Sequence, residues 1–374
     1  MKIIIAPDSY KGSLRAEKVA RILADGWKSI RPKDEVVTIA LSDGGEGMAG
    51  ALAASRSGKF IRIPTSDALM RPVTGQAVLL ADTAVLESAE ANGIERLTSD
   101  ELNPLAATTY GVGTMLVKLL EHGYRDLLIG IGGSATVDGG AGMLQALGAR
   151  FFDRRDLLLP DGIGGGGLRD VARVDISGLD PRLTQCRIKV ACDVVNPLCG
   201  PNGSAAVFGP QKGATAEMVK SLDANLHHWA ELWNDPADHP GDGAAGGLGF
   251  ALRKILNAQL VSGASLIMEY SGFTNALPQA DLVITGEGRS DEQTVCGKLC
   301  ACVAEAAAKY QVPTVLVSGA LQGDTAALEK IFSGCFSIAP GPVSLSDAIA
   351  GTEKNLLRMA ANLAKLISIS PEKK

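Results

Sequence analysis

The sequence predicts an α/β protein of two domains, one doubly wound around a parallel sheet and built from both ends of the chain, the other inserted between them. Three observations predict it. First, short apolar runs recur that end in glycine and small polar residues, often with a helical pattern behind them. They are KIIIAPDSYKGS from Lys2, VVTIALSDGGEGM from Val36, DLLIGIGGSATVDGGAGMLQALGA from Asp126, IKVACDVVNPLCG from Ile188 and DLVITGEGRSDEQT from Asp281. Second, there are 44 glycines among 374 residues and only 4% aromatics, the composition of many tight strand-to-helix turns. Third, both ends read as plain βα repeats while the middle does not.

In chain order, Ile3 to Ala6 is a first strand, and Ser13 is a candidate cap for a helix whose apolar stripe is Val19, Ile22, Leu23, Gly26, Trp27 and Ile30. Val36 to Leu41 is a second strand, and an alanine-rich helix runs from Gly47 to about Ser55. From Gly58 the texture turns to short strands joined by turns, which puts a domain crossing near Pro64. A helix follows at Val112 to His122, then a strand at Leu127 to Ile131 and a helix carrying Met143, Leu144 and Leu147. The segment LPDGIGGGGLRDVARVDISGLDPRL is too long for a simple connector and reads as a mobile insert or lid hinged at Gly164 to Gly167. Helices are expected at Ala216 to Trp233, around Leu248 to Leu256, at Gly297 to Tyr310 and at Ser346 to Ile367. The expected domains are therefore 1–63 plus 281–374, and 64–280. Ligands of open α/β sheets bind outside the carboxyl ends of the strands, so the polar strand ends point to one shared cleft.

Composition excludes several classes. Net charge is −5 and basic residues are scattered, so neither nucleic acid nor an anionic membrane is an expected partner. No apolar run approaches the roughly 18 residues of a membrane span, and no leader pattern follows Met1 and Lys2. Seven cysteines without a CxxC pair suit a reduced, cytoplasmic protein. The oligomeric state is left open, a homo-oligomer included.

The strand ends carry the chemistry. In the stretch from Asp126, Gly132, Gly133 and four further glycines let the backbone approach a ligand, and Ser134, Thr136 and Asp138 add hydroxyls and a carboxylate. Asp8, Ser9 and Lys11 follow the first strand, where the lysine can hold a phosphate or carboxylate, or the turn is simply capped. Asp43 and Glu46 set two carboxylates around two glycines, an oxygen donor set suited to Mg²⁺, unless Glu46 merely caps a helix. Lys212, Arg289 and Lys298 are cations beside glycine-rich turns, as a phosphoryl clamp requires, although exposed lysines are usually only solvated. Gly297-Lys298 is followed by leucine, so there is no Walker loop. The four histidines lie outside these turns and read as structural, and no GxSxG elbow is present.

Together APDSYKGSLRAEKVA, SDGGEGM, GIGGSATVDGGAGMLQALG, DVVNPLCGPNGSAAVFGPQKGAT, GAAGGLGFAL and DLVITGEGRSDEQTVCGK resemble the bacterial class I glycerate kinase family. The resemblance runs from Ile3 to the last helix. Departures at Tyr10, Met48 and Cys300, where phenylalanine, threonine and proline are expected, lie beside the polar positions. The resemblance implies a flavodoxin-like domain and a second α/β domain with the active site between them. It implies ATP-dependent phosphorylation of D-glycerate, generally at the 2-hydroxyl, in sugar-acid and glyoxylate catabolism, with ATP and Mg²⁺ required. On that basis Asp193 is the expected base orienting the hydroxyl, with Asp8 second. Lys11, Arg289 and Asn196 are candidates for the glycerate carboxylate and phosphate, and Asp43, Glu46, Glu287 and Asp291 for metal or hydroxyl contacts.

Other readings stay open at this stage. Attack by the 3-hydroxyl is one. Gly130, Gly132 and Ala135 satisfy the GxGxxA spacing after a strand, so a nicotinamide-dependent oxidoreductase is another, although Asp138 would repel a pyrophosphate. A non-catalytic sugar-acid sensor could share a two-domain cleft.

Overall fold

The structure, a computed structural model, describes residues 1–41, 47–295 and 298–368. It divides into two compact units. Unit 1 is Met1–Asp43, Gly50–Ser57 and Ala264–Lys374, and unit 2 is Gly44–Ala49 and Gly58–Gly263.

Unit 1 holds a five-stranded sheet in the spatial order Gly334–Ser337, Thr314–Ser318, Leu282–Thr285, Lys2–Ile5, Glu35–Thr38, every neighbouring pair parallel. Numbered along the chain, that order is 2-1-3-4-5, the flavodoxin-like arrangement. Ile3, Ile4, Ile5, Val283 and Ile284 are wholly buried, as expected where helices cover both faces of a parallel sheet. The helix Ala16–Lys28 buries Val19, Ile22, Leu23 and Trp27 and packs on the helix Thr352–Ser368. Gly26 permits that approach, because a Cβ there would lie 2.5 Å from the Leu357 carbonyl oxygen. The helix starts later than Ser13 suggests: Arg15 is at the cap without a side-chain bond. Ser13 instead donates from Oγ to Thr352 Oγ1 at 2.9 Å, tying the loop to the last helix. That last helix is itself broken, as Leu345–Ala350 and Thr352–Ser368 flank Gly351.

Unit 2 holds a six-stranded mixed sheet in the order Gln259–Val261, Arg187–Ala191, Asp126–Gly130, Thr83–Glu87, Pro72–Leu79, Lys59–Ser66. The first four strands are parallel and the last three form an antiparallel meander. Pro64 falls inside the Lys59–Ser66 strand rather than at a boundary. That strand is at the sheet edge, where a missing N–H donor is tolerated. The helices Tyr110–Glu121 and Ala141–Ala146 pack together, and Leu127, Ile129, Met115, Leu116 and Leu144 are buried between them and the sheet.

The long segment after Leu159 is anchored, not hinged. Leu168 and Val171 are buried, and Gly166 donates its N–H to the Leu105 carbonyl at 2.9 Å. Cβ atoms at Gly164 and Gly165 would lie 2.5 Å from Leu105 O and 2.3 Å from Val137 O, so these glycines serve close backbone packing.

Candidate active site

Unit 2 has a cavity of about 410 Å³ at the carboxyl ends of two neighbouring parallel strands, Asp126–Gly130 and Arg187–Ala191. The turn after the first contributes Ile131, Gly132, Gly133 and Ser134, and the turn after the second contributes Cys192, Asp193 and Val194. Gly133 has φ +69°, a left-handed conformation that favours glycine, and its carbonyl accepts from Ile94 N–H at 2.8 Å. The remaining wall includes Phe208, Gln211, Lys212, Ala244 and Ala245. Five of the expected site residues, Gly132, Gly133, Ser134, Asp193 and Lys212, thus meet around one space.

Lys212 is 2% exposed. Its ammonium donates to Ser134 Oγ at 2.9 Å and to the Thr136 carbonyl at 2.8 Å. An ammonium has three donors, and among the described residues these are its two acceptors. Burial lowers the Lys212 pKa to about 7, the negative charge of Asp138 opposing the shift. A buried cation of this kind gains most by meeting an anion. Asp193 is exposed, and its Oδ1 accepts from Gly263 N–H at 2.9 Å, which holds the carboxylate at the strand end.

Asp138, expected to bind substrate or phosphate, is instead a structural group. It is fully buried and accepts from Thr109 N–H and Thr109 Oγ1, both at 2.7 Å, from Gly140 N–H at 3.1 Å and from Gly142 N–H at 3.3 Å. Burial raises its pKa against those bonds. The helix start that the glycines were expected to offer to an anion is therefore filled by the protein's own carboxylate. Other glycines here serve backbone packing. Gly139 N–H donates to Gly246 O at 2.9 Å, and a Cβ on Gly246 would lie 1.8 Å from Thr136 O.

Asn196 also departs from expectation. Its side-chain amide donates to Asn202 O at 2.8 Å, its backbone carbonyl accepts from Gly241 and Gly243 N–H, and it is absent from the cavity lining. It shapes the loop after the Arg187–Ala191 strand.

Unit 1 assembles a second polar group at the switch point of its sheet, where the Lys2–Ile5 and Leu282–Thr285 strands run side by side. Asp8 is 8% exposed, takes Ser9 N–H on Oδ1 at 2.6 Å and donates its own N–H to Gly286 O at 2.8 Å. Glu287 Oε1 accepts from Ser290 Oγ at 2.9 Å and Thr294 Oγ1 at 2.8 Å. Asp291 lies 3.6 Å from Arg289 and 3.9 Å from Lys298, both cations well exposed, and Lys11, which follows Asp8 closely in sequence, is exposed. Tyr10 locks this loop by donating its hydroxyl to Val317 O at 2.6 Å. Asp43 and Glu46 lie outside the described residues. Among the described residues no three His, Cys, Asp or Glu side chains gather as a metal site.

The GxGxxA reading fails on geometry. In a dinucleotide-binding turn the glycines open the helix directly, but here the helix begins only at Ala141, beyond the buried Asp138. The apolar lining residues Ile94, Phe208, Ala244 and Ala245 were not singled out from the sequence. The one local sign was the small-residue run DGAAGG, in which Ala245 takes φ +52°.

The fold, with a polar cavity at the strand ends, is that of an α/β enzyme, and the relatives narrow that class. The family model described as the glycerate kinase family matches residues 3–368. The chain is 44% identical to glycerate kinase of Bacillus subtilis, over 99% of this chain and 98% of that one. It is 41% identical to glycerate 2-kinase of Escherichia coli, with 99% and 98% covered. A crystal structure from Salmonella typhimurium LT2, assigned as glycerate kinase 2, superposes with a TM-score of 0.90 at 40% identity, covering 98% of each chain. The chain belongs to the glycerate kinase family and is a kinase. No helix among the described residues is long and apolar enough to cross a membrane.

Proposed function

We propose that this enzyme transfers the γ-phosphoryl group of ATP to the 2-hydroxyl of D-glycerate, giving 2-phospho-D-glycerate and ADP, in sugar-acid or glyoxylate catabolism. The observation that carries the reading is the gathering of Asp193, Lys212, Ser134, Gly132 and Gly133 around one cavity in a member of this family. The name of the Escherichia coli relative supports the 2-hydroxyl. A cytoplasmic setting belongs to the same reading, on cysteine usage that suits a reducing compartment.

Phosphoryl transfer asks the protein for positioning and charge, with little covalent chemistry. Asp193 accepts the proton as the glycerate oxygen bonds to the γ-phosphorus. The bond from that phosphorus to the bridging oxygen breaks, and ADP leaves with the electron pair. Lys212 and the N–H groups of Gly132 and Gly133 offset the charge on the phosphoryl oxygens. Lys11 and Arg289 are cations of the kind that hold a carboxylate, in the same unit as Asp8, Ser9 and Lys298.

Glu287, whose carboxylate accepts from the hydroxyls of Ser290 and Thr294, and Asp291 are hard oxygen donors of the kind Mg²⁺ takes. That ion commonly uses one or two carboxylates plus phosphate oxygens, so the donor set fits it. Bound there, it would supply positive charge to phosphate oxygens.

The test is ADP release from MgATP and D-glycerate, with the product passed to enolase without phosphoglycerate mutase. Immediate enolase turnover supports the 2-kinase. Turnover only after mutase is added means attack by the 3-hydroxyl, and no ADP release rejects D-glycerate as acceptor.

A further inference from the structure

Lys212 and Ser134 form a pair that charge neutralisation alone does not require. The lysine nitrogen lies 2.9 Å from Ser134 Oγ, so a hydroxyl stands within hydrogen-bond reach of an amine. That amine is oriented by a third group, the Thr136 carbonyl, at 2.8 Å. A nucleophile, an adjacent base and an orienting partner are the parts of an activated serine, and serine-lysine pairs are one such arrangement. Ser134 is 6% and Lys212 2% exposed, and both line the cavity of unit 2. Burial brings Lys212 to about 7, so near neutral pH much of it is the free amine, which can accept the serine's proton. The other titratable groups around the pair are Asp138, whose negative charge opposes that shift, and Cys192 and Asp193, which line the same cavity. Gly132 and Gly133 directly precede the serine on the cavity wall and are the candidates for donating N–H groups to a developing oxyanion. Ile94, Ile131, Phe208, Ala244 and Ala245 give the space apolar walls, which offset no phosphate charge and suit an aryl or alkyl group.

We propose a second activity at this cavity: hydrolysis of short activated carboxylic esters, with Ser134 as the nucleophile and Lys212 as its general base. Ser134 Oγ bonds to the ester carbonyl carbon as its proton passes to Lys212 Nζ. The bond from that carbon to the leaving oxygen then breaks. The leaving oxygen departs with the electron pair and takes the proton from Nζ. Water repeats the sequence on the acyl-serine, releasing the acid and restoring both residues. The activity needs neither nucleotide nor glycerate, so it does not rest on the kinase reading.

The experiment mixes the full chain with p-nitrophenyl acetate, follows release of p-nitrophenolate and locates the acetyl group in acid-quenched samples by peptide mass spectrometry. The expected result is acetyl on Ser134, with an acylation rate that rises about tenfold from pH 6 to pH 8 as Lys212 loses its proton. Ser134→Ala should release p-nitrophenolate at least about tenfold more slowly. Acetyl on lysine nitrogens alone, Lys212 included, or release unchanged by Ser134→Ala overturns the inference. Labelling of the unaltered protein with phenylmethylsulfonyl fluoride supplies a readout that needs no variant. Sulfonyl on Ser134 in the folded chain but not in the urea-unfolded chain supports the assignment. No label on Ser134, or equal label in the two states, overturns it.

Discussion

Lys212 Nζ and Ser134 Oγ lie 2.9 Å apart across 78 residues of sequence, a bond that joins the turn after one sheet strand to a short loop from elsewhere in unit 2. The ammonium is buried, and its pKa is lowered to about 7 from 10.5. Above about pH 7 the folded chain releases this proton while the unfolded chain holds it up to about 10.5. The unfolded state thus binds more protons in that window, and stability rises with pH. In urea unfolding between pH 7 and 8.5, the unaltered enzyme should gain stability relative to Lys212→Met, whose curve lacks this component. Parallel pH curves would mean that Lys212 does not titrate there. The same variant should lose about two to three orders of magnitude in kcat/KM, as expected when a preorganised charge is removed from a transition state.

Asp193→Asn separates chemistry from structure. The Asn carbonyl can still accept the Gly263 N–H that Oδ1 accepts now at 2.9 Å, so the strand end should keep its shape. A general base contributes about 10²–10⁴-fold. Turnover should fall by that order with the melting temperature unchanged. Near-normal turnover would remove Asp193 from the role.

Asp193 and Ser134 were legible as cavity residues because a strand followed by a polar turn is a local pattern, and the carboxyl ends of parallel strands are where such folds bind ligands. The 2-1-3-4-5 sheet was foreshadowed by βα repeats at both ends of the chain. What local pattern could not reveal was which way a residue faces. Asp138 sits among the same glycines as Ser134, yet it turns inward to Thr109, because two helix starts buried together need an acceptor. Gly139 belongs to the glycines expected to approach a ligand, but its N–H meets the backbone of Gly246 from a distant point in the sequence. Phe208 and Ile94 carried no signal, since an apolar residue lining a cavity reads like one in a core.

Gly246→Ala tests the backbone packing. At φ +74° an alanine is strained, and its Cβ would lie 1.8 Å from Thr136 O, the same oxygen that accepts from Lys212. The expected loss exceeds about 2 kcal/mol by urea unfolding, with activity per folded molecule reduced as well. Gly50→Ala is the control. It lies within the Met48–Arg56 helix, where a Cβ meets nothing within 4 Å, so it should be neutral or stabilising by up to about 1 kcal/mol. A Gly246→Ala protein as stable as this control would show that the two turns can move apart freely.

Asp34 gives unit 1 an acid-sensitive tie. It is 8% exposed and accepts from Trp27 Nε1 at 3.0 Å and Arg31 Nε at 2.6 Å, pinning the end of the Ala16–Lys28 helix to the strand that follows. Burial would raise its pKa, but the bonds from Arg31 and Trp27 prevail and hold it at about 2 against 3.8. Since the folded pKa is the lower one, the contribution is complete above about pH 4 and is lost as pH falls toward 2. The shift corresponds to about 2 kcal/mol, reduced somewhat because Arg31 is partly open to solvent. Asp34→Asn should therefore lower stability by about 1–2 kcal/mol at pH 6, and the gap between the two proteins should close toward pH 2.5. A gap that stays constant over that range would trace the loss to packing around Trp27, since only a charge-dependent bond disappears when the carboxylate takes up its proton.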